Sequence, residues 1–554
     1  MQSKPTIILA AAAFVLLAPS LILGTLDSQS APQNLTWAEQ FSEQFRAGIL
    51  YPRWLAHSFD GLGSPTFYFY PPLAFWLDAV VSLVTFDVFQ TDYRLSIDWA
   101  LVLSASGLAM YIWLQGEIDR PHVIFWAAVG YMAAPYHLLV DHYIRGAYAE
   151  STAYVFLPLV MLSIRRIGAQ LSFGPPLLAL SYGGLLISHL PSALLASSTV
   201  LPAYILFVAR RPSAFARIIT ALVLGTGLAT VYLLPALTLQ PWISADQFWT
   251  RFYRVDNWFL LAPDRWPEPV LMRIIASLAA SACVLAIAIC SVLPWRTTAF
   301  FWSAICIACL ALMAGVIPWF WHLPALAKVQ FPWRLMPALE FALITSLALA
   351  LGQLPRRIRF YGSAIALAVA TPGLVYAFVV VSAAIDRAPH VRERPMQDVK
   401  EYEPHGFPIA LGQSYADLGL EPLKGTPLIS CVPAVRICRA TEFRFGDIQL
   451  EVENDIATKV VLRRFYFPAW GLDPSIVLSP TETYRLVSFA LPPGHTKARL
   501  HRDDLPIEHW AWAIFALSLL LLLAAAAVTA RNNTRRGNSG TDGGDRREHA
   551  PTPG

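Results

Sequence analysis

The sequence predicts a polytopic α-helical membrane protein of about twelve spans, with a β-sandwich-like extracytoplasmic domain before the last span. Of its 554 residues, 56% are hydrophobic and only 14% are charged, whereas a soluble protein of this length carries more charge. Long apolar runs recur along most of the chain, and each is a candidate membrane helix. In residues 386–509, short segments alternate polar and apolar residues instead, which is typical of β-strands.

The basic residues orient the apolar runs, because cytoplasmic loops of membrane proteins are rich in lysine and arginine. We interpret residues 66–86 as an interfacial or re-entrant segment. If this segment crossed the membrane, the basic pairs at 165–166 and 210–211 would fall outside the cell. With it at the interface, every basic cluster and both termini lie on the cytoplasmic side. The predicted spans are residues 6–24, 95–115, 122–139, 151–164, 175–188, 191–208, 218–234, 274–293, 300–316, 335–353, 360–385 and 510–530.

The two ends of the chain need separate interpretations. We treat residues 6–24 as a retained span, since no clear small-residue cleavage site follows that would favour a signal peptide. The last residues are rich in glycine, asparagine and arginine, which is typical of disorder. The predicted division is a transmembrane domain at 1–385 with an outer loop at 25–94, a β-rich domain at 386–509, a final helix at 510–530 and a disordered cytoplasmic tail at 531–554.

In the β-rich region, strand candidates are separated by turn-forming residues such as Pro468 and the segment 492–494. Cys431 and Cys438 lie in the same polar region. We expect a disulfide between them if the domain faces an oxidising compartment. The predicted strands are 447–453, 458–465, 484–491 and 497–502.

Residues 48–72 combine aromatic rings, prolines and one arginine. Arg53 lies between Pro52 and Trp54, and residues 67–70 are all aromatic. Such rings suit the water–lipid boundary, where one edge of a ring is buried and the other is wet. An anchoring loop without chemistry explains this composition equally well.

Under this topology, the unusual polar residues converge on the outer side of the membrane. Ionisable side chains at membrane depth are costly and tend to be functional. Arginine presents a rigid fork of donors that suits phosphate, so Arg53, Arg145 and Arg334 are candidates for holding a phosphate or diphosphate. The further candidates are Asp27, Asp141, His142, Glu150, His189 and the loop 238–268, with Glu340 inside a span and Arg94 and Lys328 in reserve.

Structural roles explain several of these residues as well. Asp141 and Arg145 have helical i,i+4 spacing and can simply pair with each other. Glu150 heads a predicted span and can interact with the helix N-terminus. His189 can be a packed histidine with satisfied hydrogen bonds, and Glu340 can be a hydrogen-bonded interior residue.

No metal or nucleotide signature accompanies these residues. The sequence has no cysteine and histidine spacing of a metal site, no phosphate-binding glycine loop and no nucleophile elbow. The first outer loop has no pair of acidic residues separated by one residue. Mg²⁺ or Mn²⁺ is therefore not indicated as a cofactor, and no nucleic acid is expected as a partner.

Six motifs carry a resemblance to a known family. They are, in chain order, GILYPRW, GSPTFYFYPPL, DHYIRGAYAE, SHLPSA, YLLPAL and FPWR. Together they resemble the multi-spanning bacterial membrane family labelled "6-pyruvoyl-tetrahydropterin synthase-related", although nothing in the chain resembles the soluble pterin enzyme. That family in turn is similar to the GT-C superfamily of membrane glycosyltransferases. The resemblance covers most of the chain up to about Gln353.

The resemblance implies an activity and a set of roles. GT-C enzymes take a sugar from a polyprenyl-phosphate or diphosphate donor on the outer face, with an acidic residue of the first outer loop as general base. By position that residue is Asp27, which stands alone where many members have two, and this departure leaves metal dependence open. The implied assignments are Arg53, Arg145 and Arg334 for the donor phosphate, Asp141, His142, Glu150, His189 and Glu340 in support, and Trp54, Tyr68 and Tyr70 for lipid or sugar.

The leading hypothesis is an inner-membrane glycosyltransferase with its active face in the periplasm. Its partners would be the lipid bilayer, a polyprenyl-phosphate-linked sugar, and a glycan, lipid or protein acceptor. A transporter or flippase of a lipid-linked saccharide would need polar residues through the full membrane depth, whereas here they crowd one face. A non-catalytic scaffold with a degenerate GT-C-like fold is the third hypothesis, because Asp27 stands alone.

Overall fold

The structure, a computed structural model, describes residues 3–353, 378–387, 398–408, 415 and 417–541. It contains a mostly helical part and a separate antiparallel β-domain. A π-helical segment, Tyr136–Arg145, lies between α7 and α8, and residues 378–387 are also helical. The labelled helices are α1 (Ser3–Leu16), α2 (Ala18–Leu23), α3 (Ala31–Arg46), α4 (Thr66–Phe69), α5 (Leu73–Val84), α6 (Thr91–Gln115), α7 (Pro121–Met132), α8 (Tyr148–Gly168), α9 (Gly174–Ser188), α10 (Leu190–Ser198), α11 (Val200–Val208), α12 (Pro212–Leu228), α13 (Thr230–Thr238), α14 (Pro269–Val292), α15 (Thr298–Met313), α16 (Pro318–Trp321), α17 (Met336–Gln353) and α18 (Pro506–Thr541).

Five helical segments in the described part of the chain are long and apolar enough to cross a membrane. Two pairs, α10 with α11 and α12 with α13, pass the same test together but are bent by 44° and 70°. The count is therefore five to seven, and the predicted twelve spans are not confirmed. Residues 360–385, the predicted eleventh span, lie mostly outside the described residues. The five segments are Thr91–Gln115, Pro121–Arg145, Pro269–Val292, Pro332–Gln353 and Pro506–Ala530.

Several predicted spans are short or interrupted. Residues 6–24 form two helices, α1 and α2, because Pro19 at the start of α2 has no amide hydrogen to continue the bonding pattern of α1. Helices α9 and α15 have 15 and 16 residues, fewer than the roughly 20 that a straight span needs. An apolar run therefore does not by itself establish a full crossing.

Residues 66–86 do not form one continuous helix. Helix α4 ends at Phe69, Tyr70 is extended, and α5 begins at Leu73. At a rise of about 1.5 Å per residue, α5 extends only about 18 Å, whereas the hydrocarbon core of a bilayer is about 30 Å thick. Helix α5 alone is therefore too short to cross the hydrocarbon core, and the interfacial or re-entrant position of this segment stays a prediction.

The β-domain consists of two antiparallel sheets of four strands, in the orders β1-β4-β7-β6 and β2-β3-β8-β5. In β3, the alternate residues Ile448, Leu450 and Val452 are buried, which is the period-two pattern of a half-buried strand. The four predicted strands correspond to β3, β4, β7 and β8, and the other four were not predicted. The strands are β1 (Ile429–Val432), β2 (Ile437–Arg444), β3 (Asp447–Asn454), β4 (Thr458–Phe465), β5 (Trp470–Asp473), β6 (Ser479–Pro480), β7 (Leu486–Leu491) and β8 (Gly494–Arg502).

A disulfide joins the two sheets at their edges. Cys431 of β1 is bonded to Cys438 of β2. Each of these strands is an edge strand of its sheet. The bond therefore closes one side of the β-domain.

The last helix extends further than predicted. Helix α18 begins at Pro506 and continues to Thr541, so it extends past residue 530, the predicted end of the last span, and disorder of the tail stays a prediction. Helical hydrogen bonds are local and continue past the apolar part of a helix. Residues 542–554 lie outside the described residues.

Residues 48–72 hold the β-domain against the helical part. Arg464 of β4, which is 0% exposed, donates to the carbonyls of Ala56 and Gly61 at 2.8 and 2.9 Å. On the same face, the ring of Trp54 packs edge-on against Trp470 at a centroid distance of 4.9 Å. We call the contact between residues 48–72 and the β-domain the seam.

The aromatic residues of this segment are buried in the seam. Phe67 and Tyr68 are both 0% exposed. Phe67 packs against Phe41 of α3 and Phe75 of α5, and Tyr68 packs against Phe467 of the β-domain. Three packed elements therefore cover Phe67 and Tyr68, whereas Phe69 and Tyr70 are half-buried, and a position at the water–lipid boundary stays a prediction.

Candidate functional site

Arg145 lies at the centre of a buried polar network. It ends the π-helical segment, and its Nη1 donates to Asp141 and Glu150, each at 2.7 Å, and to the hydroxyl of Tyr136 at 2.8 Å. The Tyr136 hydroxyl in turn donates to Glu150 at 3.0 Å. The Arg145 side chain is 12% exposed, while Asp141 and Glu150 are 0% and 1% exposed. Two carboxylates therefore surround one guanidinium, and its charge is already matched.

Gly146 lets a second loop approach this network. Its φ of +63° is in the left-handed region, and an added Cβ would come within 2.2 Å of the Ser28 hydroxyl. The amides of Gln29 and Ser30 donate to the carbonyls of Ile144 and Arg145 at 3.0 and 2.9 Å. The loop that follows α2 is thus fastened directly to the end of the π-helical segment.

This fastened loop carries Asp27, the predicted base. The side chain of Asp27 is 12% exposed, and its carboxylate lies 4.0 Å from Nε of Arg387. Farther along the loop, the side-chain amide of Gln29 donates to Glu268 at 3.1 Å. The loop of Asp27 therefore lies next to Arg145. Asp27 itself is two residues before Gln29, whose backbone amide makes the contact with Ile144.

Arg334 has only neutral direct partners among the described residues. Its Nη1 donates to the carbonyl of Val329 at 2.7 Å and to the side-chain oxygen of Gln330 at 3.1 Å. Its guanidinium lies over the ring of Phe331 at 4.8 Å. Its Nε is buried and makes no hydrogen bond within the described part of the chain. Arg334 also lies close enough to Glu150 to act on it electrostatically.

Tyr70 faces both arginines. Burial raises the pKa of Tyr70 to about 12, and the charges of Arg334 and Arg145 oppose this rise. The Tyr70 ring packs edge-on against Trp37 of α3 at 4.8 Å. Of the three aromatic residues predicted to contact lipid or sugar, Tyr70 is the one beside Arg145 and Arg334.

His189 lies at the turn between α9 and α10, on the same side. Its Nδ1 is 2.8 Å from the hydroxyl of Ser192. Burial lowers the pKa of His189 to about 3, although the charge of Glu150 opposes this shift. The imidazole is therefore neutral at physiological pH and is suited to hydrogen bonding.

Glu340 binds the first residues of the π-helical segment that carries the network. It accepts the backbone amides of Tyr136 at 2.7 Å and His137 at 3.2 Å, and the hydroxyl of Tyr154 at 2.9 Å. A carboxylate that accepts free amides at the start of a helical segment fixes that start. Glu340 thus positions the segment that carries Tyr136 and Arg145.

The loop 238–268 supplies residues that the sequence did not single out. Tyr253 donates to Glu401 at 3.4 Å. Burial and the charge of Glu401 raise the pKa of Tyr253 to about 12, while Arg334 opposes this. Glu268 is bonded to Gln29. The available signal was that this loop is polar, aromatic and predicted to be outside.

Several predicted site residues lie elsewhere. Arg53 is enclosed in the seam, where its Nε pairs with Glu508 at 2.7 Å and its Nη2 donates to the carbonyl of Val231 at 2.8 Å. Trp54 and Tyr68 are 3% and 0% exposed and pack against Trp470 and Phe467 of the β-domain, and their contact with lipid or sugar stays a prediction.

His142 and the reserve cations are also engaged away from the network. The Nε2 of His142 is 2.8 Å from the Ser20 hydroxyl. Arg94 pairs with Asp78 at 2.7 Å. Lys328 lies over the ring of Trp249 at 5.3 Å. Each of these residues is held by contacts that do not involve Arg145.

The structure places no metal-ligand cluster in the described residues. No group of three or more histidine, cysteine, aspartate or glutamate side chains there is arranged to hold a metal ion.

The chain matches no protein-family model and no curated protein, so the resemblance to the pterin-synthase-labelled family has no support there. The solved structures that match in part include two single-particle cryo-EM structures of arabinofuranosyltransferase AftD from Mycobacteria. The first, of a mutant, has 18% identity and a TM-score of 0.44 over 71% of this chain. The second has 16% identity and a TM-score of 0.41 over 71% of this chain. This chain spans 28% and 27% of the length of those two chains.

Proposed function

We propose that this protein is a membrane glycosyltransferase of inverting GT-C type. It transfers a sugar from a polyprenyl-phosphate-linked donor to a glycan, lipid or protein acceptor at the periplasmic face of the inner membrane. The observation that carries the proposal is the grouping of Arg334, Arg145 and Tyr70 beside the loop of Asp27. Displacement of a lipid phosphate by a hydroxyl requires a cationic group for the phosphate and a carboxylate nearby to take the proton.

The two arginines have different roles in this proposal. Arg145 already bonds to two carboxylates, so its positive charge is compensated and attracts an anionic ligand only weakly. The direct hydrogen-bond partners of Arg334 are a carbonyl and an amide oxygen, and its Nε is buried without one in the described part of the chain. A buried donor without a partner is costly, and a phosphate oxygen would satisfy it. Arg334 therefore binds the donor phosphate, and Arg145 positions Glu150 and Tyr136 beside it.

Asp27 is the base of the reaction. Its carboxylate takes the proton of the acceptor hydroxyl while that oxygen bonds to the anomeric carbon of the sugar. The bond from the anomeric carbon to the phosphate oxygen breaks, and its electron pair leaves with the lipid phosphate. Arg334 stabilises the negative charge that develops on that oxygen. Attack from the face opposite the leaving group inverts the anomeric carbon.

Two further observations support the outer location of the site. The disulfide between Cys431 and Cys438 is a bond that persists in oxidising compartments, which supports a β-domain outside the cytoplasm. The loop of Asp27 contacts Glu268, and residues of the same 238–268 loop contact the segment that leads into the β-domain, as in the bond of Ser244 to the carbonyl of Glu403 at 2.8 Å. The site and the β-domain are therefore on one side.

The test is donor binding by the purified full chain in lipid nanodiscs. Undecaprenyl-phosphate-linked pentoses and hexoses are titrated against undecaprenyl phosphate alone. Loss of a charge-assisted contact costs about 1.5–3 kcal/mol, so Arg334→Gln should weaken binding by about tenfold or more. Arg254→Gln removes an exposed arginine of the neighbouring loop and is the matched control.

Two outcomes would contradict the proposal. One is the absence of saturable binding to any of these lipids by a folded sample. The other is equal weakening by Arg334→Gln and Arg254→Gln, which would mean that the lipid senses only the overall charge of the surface.

A further inference from the structure

Two adjoining cavities follow strand β5 of the β-domain. One of about 490 Å³ lies at the seam, and one of about 510 Å³ lies beyond it. Trp470, Asp473 and His501 line both cavities, so the two form one groove, which we call the β5 groove. Each cavity is within the size range of a small-molecule site, and in series they suit an extended ligand.

The β-domain wall of the groove is rich in arginine. Arg499 pairs with Asp447, and Arg444 donates to the carbonyl of Ala47 at 3.1 Å. Arg502 makes no side-chain hydrogen bond or ion pair within the described residues, and its Nη1 is buried. One guanidinium of this wall therefore lacks a direct counter-charge, and an anionic group of a ligand would supply it.

The remaining lining suits a sugar chain. The rings of Trp54 and Trp470 meet at the groove, and Tyr466 lies at its far end. Asp473 is exposed and borders both cavities, so its carboxylate can accept hydrogen bonds from hydroxyl groups. Strand β5 is also an edge strand of its sheet, and an edge is where an extended ligand can approach the backbone.

We propose that the β5 groove binds an acidic oligosaccharide, the part of the acceptor that precedes the sugar-accepting end. This inference rests on the proposed function and adds the chemical class of the acceptor. The acidic group lies against Arg502, the hydroxyl groups against Asp473, and the sugar rings against the tryptophans. The residues 48–72 connect the two places, since Trp54 lines the groove and Tyr70 faces Arg334 and Arg145.

The test uses the full chain in nanodiscs and two probes of matched length, hexa-galacturonate and neutral maltohexaose. Binding is measured by calorimetry without any donor lipid. We expect hexa-galacturonate to bind at least about tenfold more tightly than maltohexaose, because it alone can neutralise Arg502. Arg502→Gln should lower the affinity for hexa-galacturonate about tenfold. Arg444→Gln, at an exposed position of the same wall, should lower it severalfold.

Arg436→Gln is the matched control, because Arg436 is an exposed arginine of the β-domain that does not line either cavity. Equal losses for Arg436→Gln and Arg444→Gln would overturn the inference, since binding would then follow net charge. Equal affinity for the two probes would also overturn it. If Arg502→Gln does not fold, the Arg444→Gln comparison decides.

The two proposals fail separately. A chain that binds undecaprenyl-phosphate-linked sugar in an Arg334-dependent way but ignores hexa-galacturonate would refute the groove and leave the proposed function standing. A chain that binds hexa-galacturonate through Arg502 but no lipid-linked sugar would keep the groove as a glycan site and refute the transferase.

Discussion

Two clusters in this protein are built from the same three side-chain types, an arginine, a glutamate and a tyrosine. In the seam cluster, Arg53 pairs with Glu508 at 2.7 Å, and Tyr68 donates to the same carboxylate at 3.2 Å. Its arginine and glutamate are 2% and 4% exposed. This cluster ties the loop 48–72 to the first turn of α18.

The site cluster repeats the arrangement in the helical part. Arg145 pairs with Glu150 at 2.7 Å, and Tyr136 donates to Glu150 at 3.0 Å. Its arginine is 12% exposed. Two features set it apart, namely Arg334, whose direct partners within the described residues are neutral, and the adjoining loop of Asp27.

An arginine, a glutamate and a tyrosine in contact with one another therefore do not by themselves define a functional site. A closed arginine–glutamate–tyrosine cluster stabilises contact between two parts of the chain. The same cluster becomes a candidate site where a neighbouring cation lacks a direct counter-charge and a carboxylate lies within reach of a ligand. The predictions below separate the two roles by changing matched residues in both clusters.

The largest effect is expected at Asp27. In the proposed function Asp27 takes the acceptor proton, so Asp27→Asn should lower the rate of sugar transfer by about 10²–10⁴-fold, the usual contribution of a general base. Binding of the lipid-linked donor should not change, because the proposal assigns that contact to Arg334. Transfer of radiolabelled sugar and donor titration, performed on the same sample, measure both. Unchanged transfer would remove Asp27 from the mechanism.

Arg53→Gln should have the largest effect on stability. It leaves the buried carboxylate of Glu508 without its partner, and breaking a buried ion pair typically costs about 3–5 kcal/mol. Chemical unfolding of the full chain in detergent measures this cost. The double variant Arg53→Gln with Glu508→Gln should recover part of the loss, since no charge is then left unpaired. A loss below about 1 kcal/mol for the single change would mean that the seam cluster is not a structural joint.

His189 should make stability depend on pH. The folded chain holds its pKa at about 3, whereas the unfolded chain has the ordinary value of about 6.5. The unfolded state therefore binds the extra proton first, and the contribution of His189 to stability is lost as pH falls below about 6.5, by up to about 1.4 kcal/mol per pH unit. His189→Gln should flatten this slope between about pH 6 and pH 4. An identical slope in the variant would mean that His189 is charged in the folded chain.

The smallest effects are expected from the two tyrosines. Tyr68→Phe and Tyr136→Phe each remove one hydroxyl that donates to a glutamate, a change worth about 0.5–1.5 kcal/mol. Tyr68→Phe should lower the free energy of unfolding and leave donor affinity unchanged. Tyr136→Phe should weaken donor binding severalfold, because its hydroxyl also accepts from Arg145. The same response of donor binding to both changes would erase the distinction between the clusters.

Local patterns were enough for part of this structure. Hydropathy indicated a helical membrane protein, and alternation located β3, β4, β7 and β8, because helix and strand periods are properties of neighbouring residues. The i,i+4 spacing of Asp141 and Arg145 offered their pairing as the structural alternative to a phosphate site, and the structure has that pair at 2.7 Å. The number of spans was not predictable in this way, since breaks such as those between α10 and α11 and between α12 and α13 divide apolar runs that look continuous.

The roles of the arginines required the tertiary structure. In the sequence, Arg53, Arg145 and Arg334 are equivalent, each an arginine in a polar segment near a predicted outer boundary. The structure pairs Arg53 with Glu508, more than four hundred positions away, surrounds Arg145 with two carboxylates, and leaves Arg334 with neutral direct partners. Whether a charge is compensated depends on which groups lie within a few ångströms in space, and the order of residues along the chain does not contain that information.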